Sequence, residues 1–190
     1  MKKLSYIGVI CLVIATAVFS FSCEKDDICA EGTLTTPRLV IDFFDADIMI
    51  ATGEDVAKNV TNLFVEALNP NLDPNTASPI QDNADTVNTI SIPLHTQENT
   101  TVYRFFSGYE TDSDGNITAG NSDLITFNYE TSEIFLSRAC GYATNYRLDD
   151  AGTGVVVTTD SDNWINTTTG IAITQFTIQN ETIAHVKIYH

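Results

Sequence analysis

The stretch Asp112-Ser113-Asp114-Gly115-Asn116 concentrates oxygen ligands within a few residues, and Asp123 follows shortly after. Alternating carboxylates beside a glycine are how calcium loops gather hard oxygen ligands around a sharp turn. Counted from Asp112, the first, third, fifth and twelfth places are Asp112, Asp114, Asn116 and Asp123, which makes these four the candidate calcium ligands. Two departures count against that assignment: the sixth place is Ile117 where glycine is wanted, and Asp123 is too short to replace the usual bidentate Glu. The same residues, with Asp114-Gly115 at their centre, are also what a solvated hairpin turn between residues 100–107 and 124–129 would use, and the turn is the favoured reading. Apart from calcium, no cofactor is indicated.

Other catalytic chemistry is sparsely represented. His95, His185 and His190 are the only histidines, and His185 alternates with branched residues in a strand-like run, where a packed or solvent-facing ring is expected. No Gly-x-Ser-x-Gly, His-rich metal motif or phosphate loop is present. The neighbours Asp149-Asp150 and Asp160-Ser161-Asp162 do not make a glycosidase, because acid-base hydrolysis needs two carboxyls at a set separation across a cleft. Trp164 beside them is a candidate sugar platform or, more simply, a core or rim residue. The expectation is a non-enzymatic protein, with a secreted hydrolase or sugar-binding subunit, or a calcium-binding module, as the alternatives.

The cysteines carry more information. Met1-Lys2-Lys3 is followed by a charge-free, almost wholly apolar or small segment, residues 4–22, in the pattern of a secretory signal that ends at Ser22-Cys23. At about the length that crosses a bilayer, the same segment could instead remain as an uncleaved anchor with Lys2 and Lys3 in the cytoplasm. Either way the remainder is exported. A small residue before a cysteine that closes an apolar run resembles the lipobox of bacterial lipoproteins, with Ser20 where Leu is usual and the bulky Phe21 after it. That resemblance implies lipidation of Cys23 and membrane attachment through the lipid. Cys11 leaves with the signal, so Cys23, Cys29 and Cys140 remain. If lipid consumes Cys23, an even pair is left, and export favours a Cys29–Cys140 disulfide. Closing a loop of about 110 residues would stabilise the fold by roughly 4 to 5 kcal/mol in the chain-entropy model. The rival pairing, Cys23 with Cys29, requires an unlipidated Cys23.

Charge points the same way. The chain carries 9 Lys+Arg against 25 Asp+Glu, a net charge of −16, and loss of Lys2 and Lys3 makes it more acidic still. Nucleic acid and anionic membrane surfaces are poor partners for such a protein, because phosphate binding needs clustered Lys and Arg. Directly after Cys23 comes the acidic tetrad Glu24-Lys25-Asp26-Asp27, in which Lys25-Asp26-Asp27 resembles the surface-export signal of Bacteroidota lipoproteins, which implies display at the outer-membrane surface and leaves room for an outer-membrane protein partner. Asp85-Thr86-Val87 resembles the O-glycosylation motif of exported proteins in that group, with Thr86 as the acceptor. The chain therefore divides into a lipoprotein signal (residues 1–22), a lipidated acidic tether (23–35) and a single domain (36–190).

That domain reads as strands punctuated by turn chemistry. Runs rich in branched and aromatic residues occupy 38–44, 60–68, 87–94, 100–107, 124–129, 133–139, 143–148, 154–159, 171–179 and 183–189. In 124–129 the set Ile125, Phe127, Tyr129 opposes Leu124, Thr126, Asn128, as in a half-buried strand. Both faces of 171–179 mix polar and apolar groups, so its inward face is open. The last two runs, parted only by Asn180-Glu181-Thr182, suggest a terminal hairpin. Residues 69–85, with three prolines, suggest a long surface loop. About ten short strands with few helices imply an all-β, antiparallel two-sheet β-sandwich with Greek-key-like connections.

Asp26-Asp27-Ile28-Cys29, Thr36-Pro37-Arg38-Leu39-Val40-Ile41 with Phe43-Phe44-Asp45, and Ser137-Arg138-Ala139-Cys140-Gly141-Tyr142 together resemble a Bacteroidota lipoprotein family of unknown function, domain of unknown function 6452. The resemblance implies a lipid-anchored, secreted, β-rich domain with no assigned activity.

Overall fold

The computed structural model describes residues 28–33, 35–68, 78–79 and 85–190. Cys23, Lys25, Asp26 and Asp27 lie outside the described residues. Two compact units are present. One combines the described residues up to Thr33 with Phe135–Tyr142, and the other comprises Leu34–Ile134 and Ala143–His190.

The larger unit is a mostly antiparallel β-sandwich. β1 (Leu39–Phe44) alternates Leu39, Ile41 and Phe43, all fully buried, as a strand must whose one face lines the core. It pairs in parallel with β12 (Val186–Tyr189) and antiparallel with β5 (Thr89–Ile92), while β10 (Ile171–Ile173) closes the other side of β12. This gives a four-stranded sheet of order β10-β12-β1-β5. The second sheet runs β11-β8-β7-β6-β2-β3, from β2 (Val60–Leu68), β3 (Ser78–Pro79), β6 (Thr100–Thr111), β7 (Ile117–Ser137), β8 (Gly141–Leu148) and β11 (Thr177–Ile178). In addition, β4 (Asp85–Val87) pairs with β2, and β9 (Val155–Thr158) pairs with β7. Within the region expected as a loop, 69–85, β3 docks at the sheet edge opposite Glu66 and Ala67, the position a proline without an N–H tolerates.

Between the sheets, Phe43, Ile92 and Ile188 of the smaller one meet Val65, Phe105, Phe127 and Leu148 of the larger. Ile125, Phe127 and Tyr129 form the buried face of β7, which the alternation in sequence selects. Three core tyrosines bring their hydroxyls to three successive carbonyls. Tyr103 donates to Pro93 O, Tyr146 to Leu94 O at 3.0 Å and Tyr129 to His95 O at 3.0 Å, so the chain leaving β5 is capped although it forms no ladder there. Burial pushes the Tyr146 phenol up to about 12.

Three features differ from the sequence-based expectation. A short helix, α1 (Ala46–Thr52), follows β1. Asp45 caps it by accepting the Ile48 N–H at 3.0 Å, and Gly53 ends it at φ 76°, donating to Met49 O at 2.9 Å. Seven residues are too few for a helical period to stand out, but the Asp45 and Gly53 caps were visible signals. Secondly, β1 and β12 run parallel, a pairing across most of the chain that no local pattern announces. Thirdly, 171–179 is two strands in different sheets. β10 pairs with β12, the chain turns where Thr174 and Gln175 both donate to His185 O, and β11 pairs with β8. Neither face was consistently apolar because the segment changes sheets partway. The terminal hairpin accordingly survives only as the antiparallel β10–β12 pair, with β11 inserted in its connection.

Candidate functional site

In the smaller unit, β7 ends at Ser137 and β8 begins at Gly141, whose φ of 71° suits glycine at this tight reversal. Ser137 Oγ accepts the Cys140 N–H at 3.0 Å, and Cys140 is bonded to Cys29 with S–S 2.08 Å and Cα–Cα 4.8 Å across 111 positions. On the Cys29 side, Ala30 O accepts both the N–H and the hydroxyl of Thr33, at 3.1 and 2.6 Å. A shallow cleft of about 430 Å³ lies beside the disulfide, lined by Ile28, Ala30, Thr33 and the 136–140 segment. Phe135 and Tyr142 are exposed and meet edge to face at 5.3 Å.

The candidate calcium ligands do not come together. Asp112 and Asn116 close the β6–β7 turn. Asp112 N donates to Asn116 O at 2.9 Å, and the Asp112 carboxylate accepts from Asp114 N, Asn116 N and Asn116 Nδ2 at 3.0, 2.8 and 3.0 Å. The Asn116 donors hold the Asp112 carboxyl below the usual carboxylate range. Asp123 is instead the strand partner of Phe105, six residues beyond the start of β7, or about 20 Å along a strand. Among the described residues, no group of three His, Cys, Asp or Glu side chains is placed to hold a metal ion. Of the two readings of this stretch, the hairpin turn is the one found, between β6 and β7, and the long hairpin draws Asp123 away from the other candidate ligands.

Asp123 has another role. It is fully buried, accepts Asn163 Nδ2 at 2.9 Å and the Ile165 N–H at 2.8 Å, and so pins the segment after β9 onto β7. Burial raises its pKa, against the opposing pull of these donors. Asp160 and Asp162 belong to the same loop, where Asp160 Oδ1 accepts the Asp162 N–H at 3.0 Å. Trp164 donates its indole N–H to Phe105 O at 3.1 Å and packs against the core, with Phe43 at 6.3 Å and His190 at 5.5 Å between ring centres. This residue is built into the sandwich, with its polar atom already engaged.

The histidines are dispersed. His95 is exposed. His185 is 1 % exposed, and its Nδ1 accepts the Val40 N–H at 3.0 Å, so the ring carries its proton on the other nitrogen. Burial lowers its pKa. His190 is held edge-on by Phe43 and Trp164, and burial likewise lowers its pKa, helped by the Lys58 ammonium. Lys58 Nζ donates to His190 O at 2.7 Å and lies 3.6 Å from Asp45 Oδ2, linking β12 to the helix cap. Asp55 similarly accepts from Lys187 and from the Tyr189 hydroxyl. These contacts fasten strands to loops. Thr86 is exposed within β4, accessible to modification.

Fold and site together define an all-β, disulfide-bonded protein in which Asp123, His185 and Trp164 hold the framework. Residues 63–190 match the model of DUF6452, a family of unknown function, and the chain belongs to that family. Of the segments that carry the resemblance in sequence, 137–142 falls inside the match, whereas 26–29 and 36–45 precede it. No curated protein and no solved structure matches the chain.

Proposed function

We propose that this member of the family is an exported lipoprotein, attached to the outer membrane through lipid on Cys23 and displayed at the cell surface, whose β-sandwich acts as a binding or structural accessory and not as a catalyst. The observation that carries this reading is the Cys29–Cys140 bond. It occupies two of the three cysteines that follow the apolar segment, leaves Cys23 as the thiol for lipid, and suits an oxidising compartment. Lys25-Asp26-Asp27 then serves as the address for surface display. The accessory role is supported by the engagement of His185, Asp123 and Trp164 in contacts internal to the fold.

Labelling of cells with a palmitate analogue tests the anchor. The wild-type chain takes up label and Cys23→Ala does not; equal labelling of the two would sink the reading. Purification from solubilised outer membrane tests the accessory role, which predicts a stoichiometric protein partner and is undercut by recovery of the chain alone.

A further inference from the structure

The disulfide limits how far one part of the protein can stand from a lipid on Cys23. Cys29 follows Cys23 by six residues, and a chain extends at most about 3.6 Å per residue, so the two Cα atoms lie within roughly 22 Å of each other. The bond holds the Cys140 Cα 4.8 Å from that of Cys29. The turn between β7 and β8 is thereby leashed close to the membrane surface, where the interfacial layer accepts amphipathic side chains.

The residues on this turn suit such a place. Among the described residues, the exposed large hydrophobics in the other unit are single aliphatic side chains: Ile50, Val56, Ile117, Val156 and Ile183. Both aromatic ones, Phe135 at 60 % exposure and Tyr142 at 67 %, belong to the disulfide-bonded unit and touch each other, and Ile28 there is 83 % exposed. Isolated exposed aliphatics are ordinary, whereas an exposed aromatic pair is a contact surface in search of a partner. Charge sets the kind of headgroup. In a chain of net charge −16, the described residues of this unit contain one acid, Glu31, and one base, the exposed Arg138, while Glu24-Lys25-Asp26-Asp27 of the tether adds a net charge of −2. The unit therefore suits a zwitterionic headgroup, whose phosphate Arg138 can meet, and not an anionic one.

We propose that the Cys29–Cys140 unit is a second membrane contact: Phe135, Tyr142 and Ile28 enter the headgroup layer of the bilayer that holds the lipid on Cys23, and Arg138 faces a lipid phosphate. This rests on the lipoprotein reading above. Aromatic rings with a polar edge partition to the headgroup level, and a lipid anchor gains stability from a second membrane signal beside it. The disulfide makes the contact intramolecular with respect to the anchor, so even a weak affinity for the interface is used at high effective concentration.

Full-length lipidated protein in phosphatidylcholine vesicles with brominated acyl chains provides the test. Tyr142→Trp is compared with Ile117→Trp, an exposed control in the other unit, and with wild type, in which Trp164 is the sole tryptophan. The added emission of Tyr142→Trp is expected to be quenched about twofold or more beyond that of Ile117→Trp, because interfacial residues sit within roughly 5–10 Å of the acyl boundary. Reduction of the disulfide should return it toward the control. Flotation of the wild type with vesicles but equal quenching at 142 and 117 overturns this contact alone, as does a blue shift at 142 without quenching, which would mark burial against a second copy or another protein. Failure of the wild type to float overturns the lipid anchor and the contact together.

Discussion

His185 closes the start of β1 twice over: its backbone N–H donates to Val40 O at 2.9 Å and its ring Nδ1 accepts the Val40 N–H at 3.0 Å. A side chain thus supplies the acceptor that a neighbouring strand backbone would otherwise provide, one residue before β12 takes up parallel pairing with β1 at Ile41–Val186.

Because that bond needs a neutral ring, stability should fall on acidification. The folded-state pKa of His185 lies below its ordinary value of 6.5, and that of His190 is displaced in the same direction. The unfolded chain therefore binds more protons in this range. The stabilising contribution is complete above about pH 6.5 and is lost as pH drops from there through the lowered folded-state values. Urea denaturation from pH 8 to 5 should show the decline, and His185→Gln should flatten it. His185→Ala should cost about 1–3 kcal/mol at pH 8 by leaving the buried Val40 N–H without a partner. An unchanged pH slope in both variants would remove His185 from this role.

Asp123 should be structurally indispensable in a graded way. Asp123→Ala leaves the Ile165 N–H and Asn163 Nδ2 facing a void and should cost about 1–3 kcal/mol in urea denaturation. Asp123→Asn sheds the buried charge and keeps one of the two acceptors but sets its NH2 against the other donor, so it should still destabilise, by less than Asp123→Ala. Burial raises the Asp123 pKa, so its titration acts opposite to the histidines: its contribution is full below about pH 3.8 and fades as pH rises through the raised folded-state value. Equal stability of Asp123→Ala and wild type would contradict the assignment.

The Cys29–Cys140 bond should be both protected and valuable. In the folded, unreduced protein neither thiol should react with maleimide, and both should do so after reduction in denaturant. The double variant Cys29→Ser with Cys140→Ser should lose about 2–5 kcal/mol, as removal of a native disulfide usually does. Maleimide labelling of Cys140 without reduction is the outcome that rules the bond out in solution.

Much of the framework lies in local pattern. The span of β2 and the buried face of β7 follow from branched and aromatic residues at period two, since side chains of a strand alternate between core and solvent. Counting cysteines offers Cys29 with Cys140 if lipid consumes Cys23, and Cys23 with Cys29 if it does not; the structure joins Cys29 to Cys140. What depends on distant parts of the chain was not legible. Asp123, read locally, is at most a poor twelfth ligand of a calcium loop, and only the register of the β6–β7 hairpin turns it toward Ile165, 42 positions away. The switch of residues 171–179 between sheets and the parallel seam of β1 with β12 are likewise choices among burial partners. Short-range periodicity states that a face must be buried, while tertiary packing alone determines against what, because burial is non-directional and roughly proportional to the area removed from water.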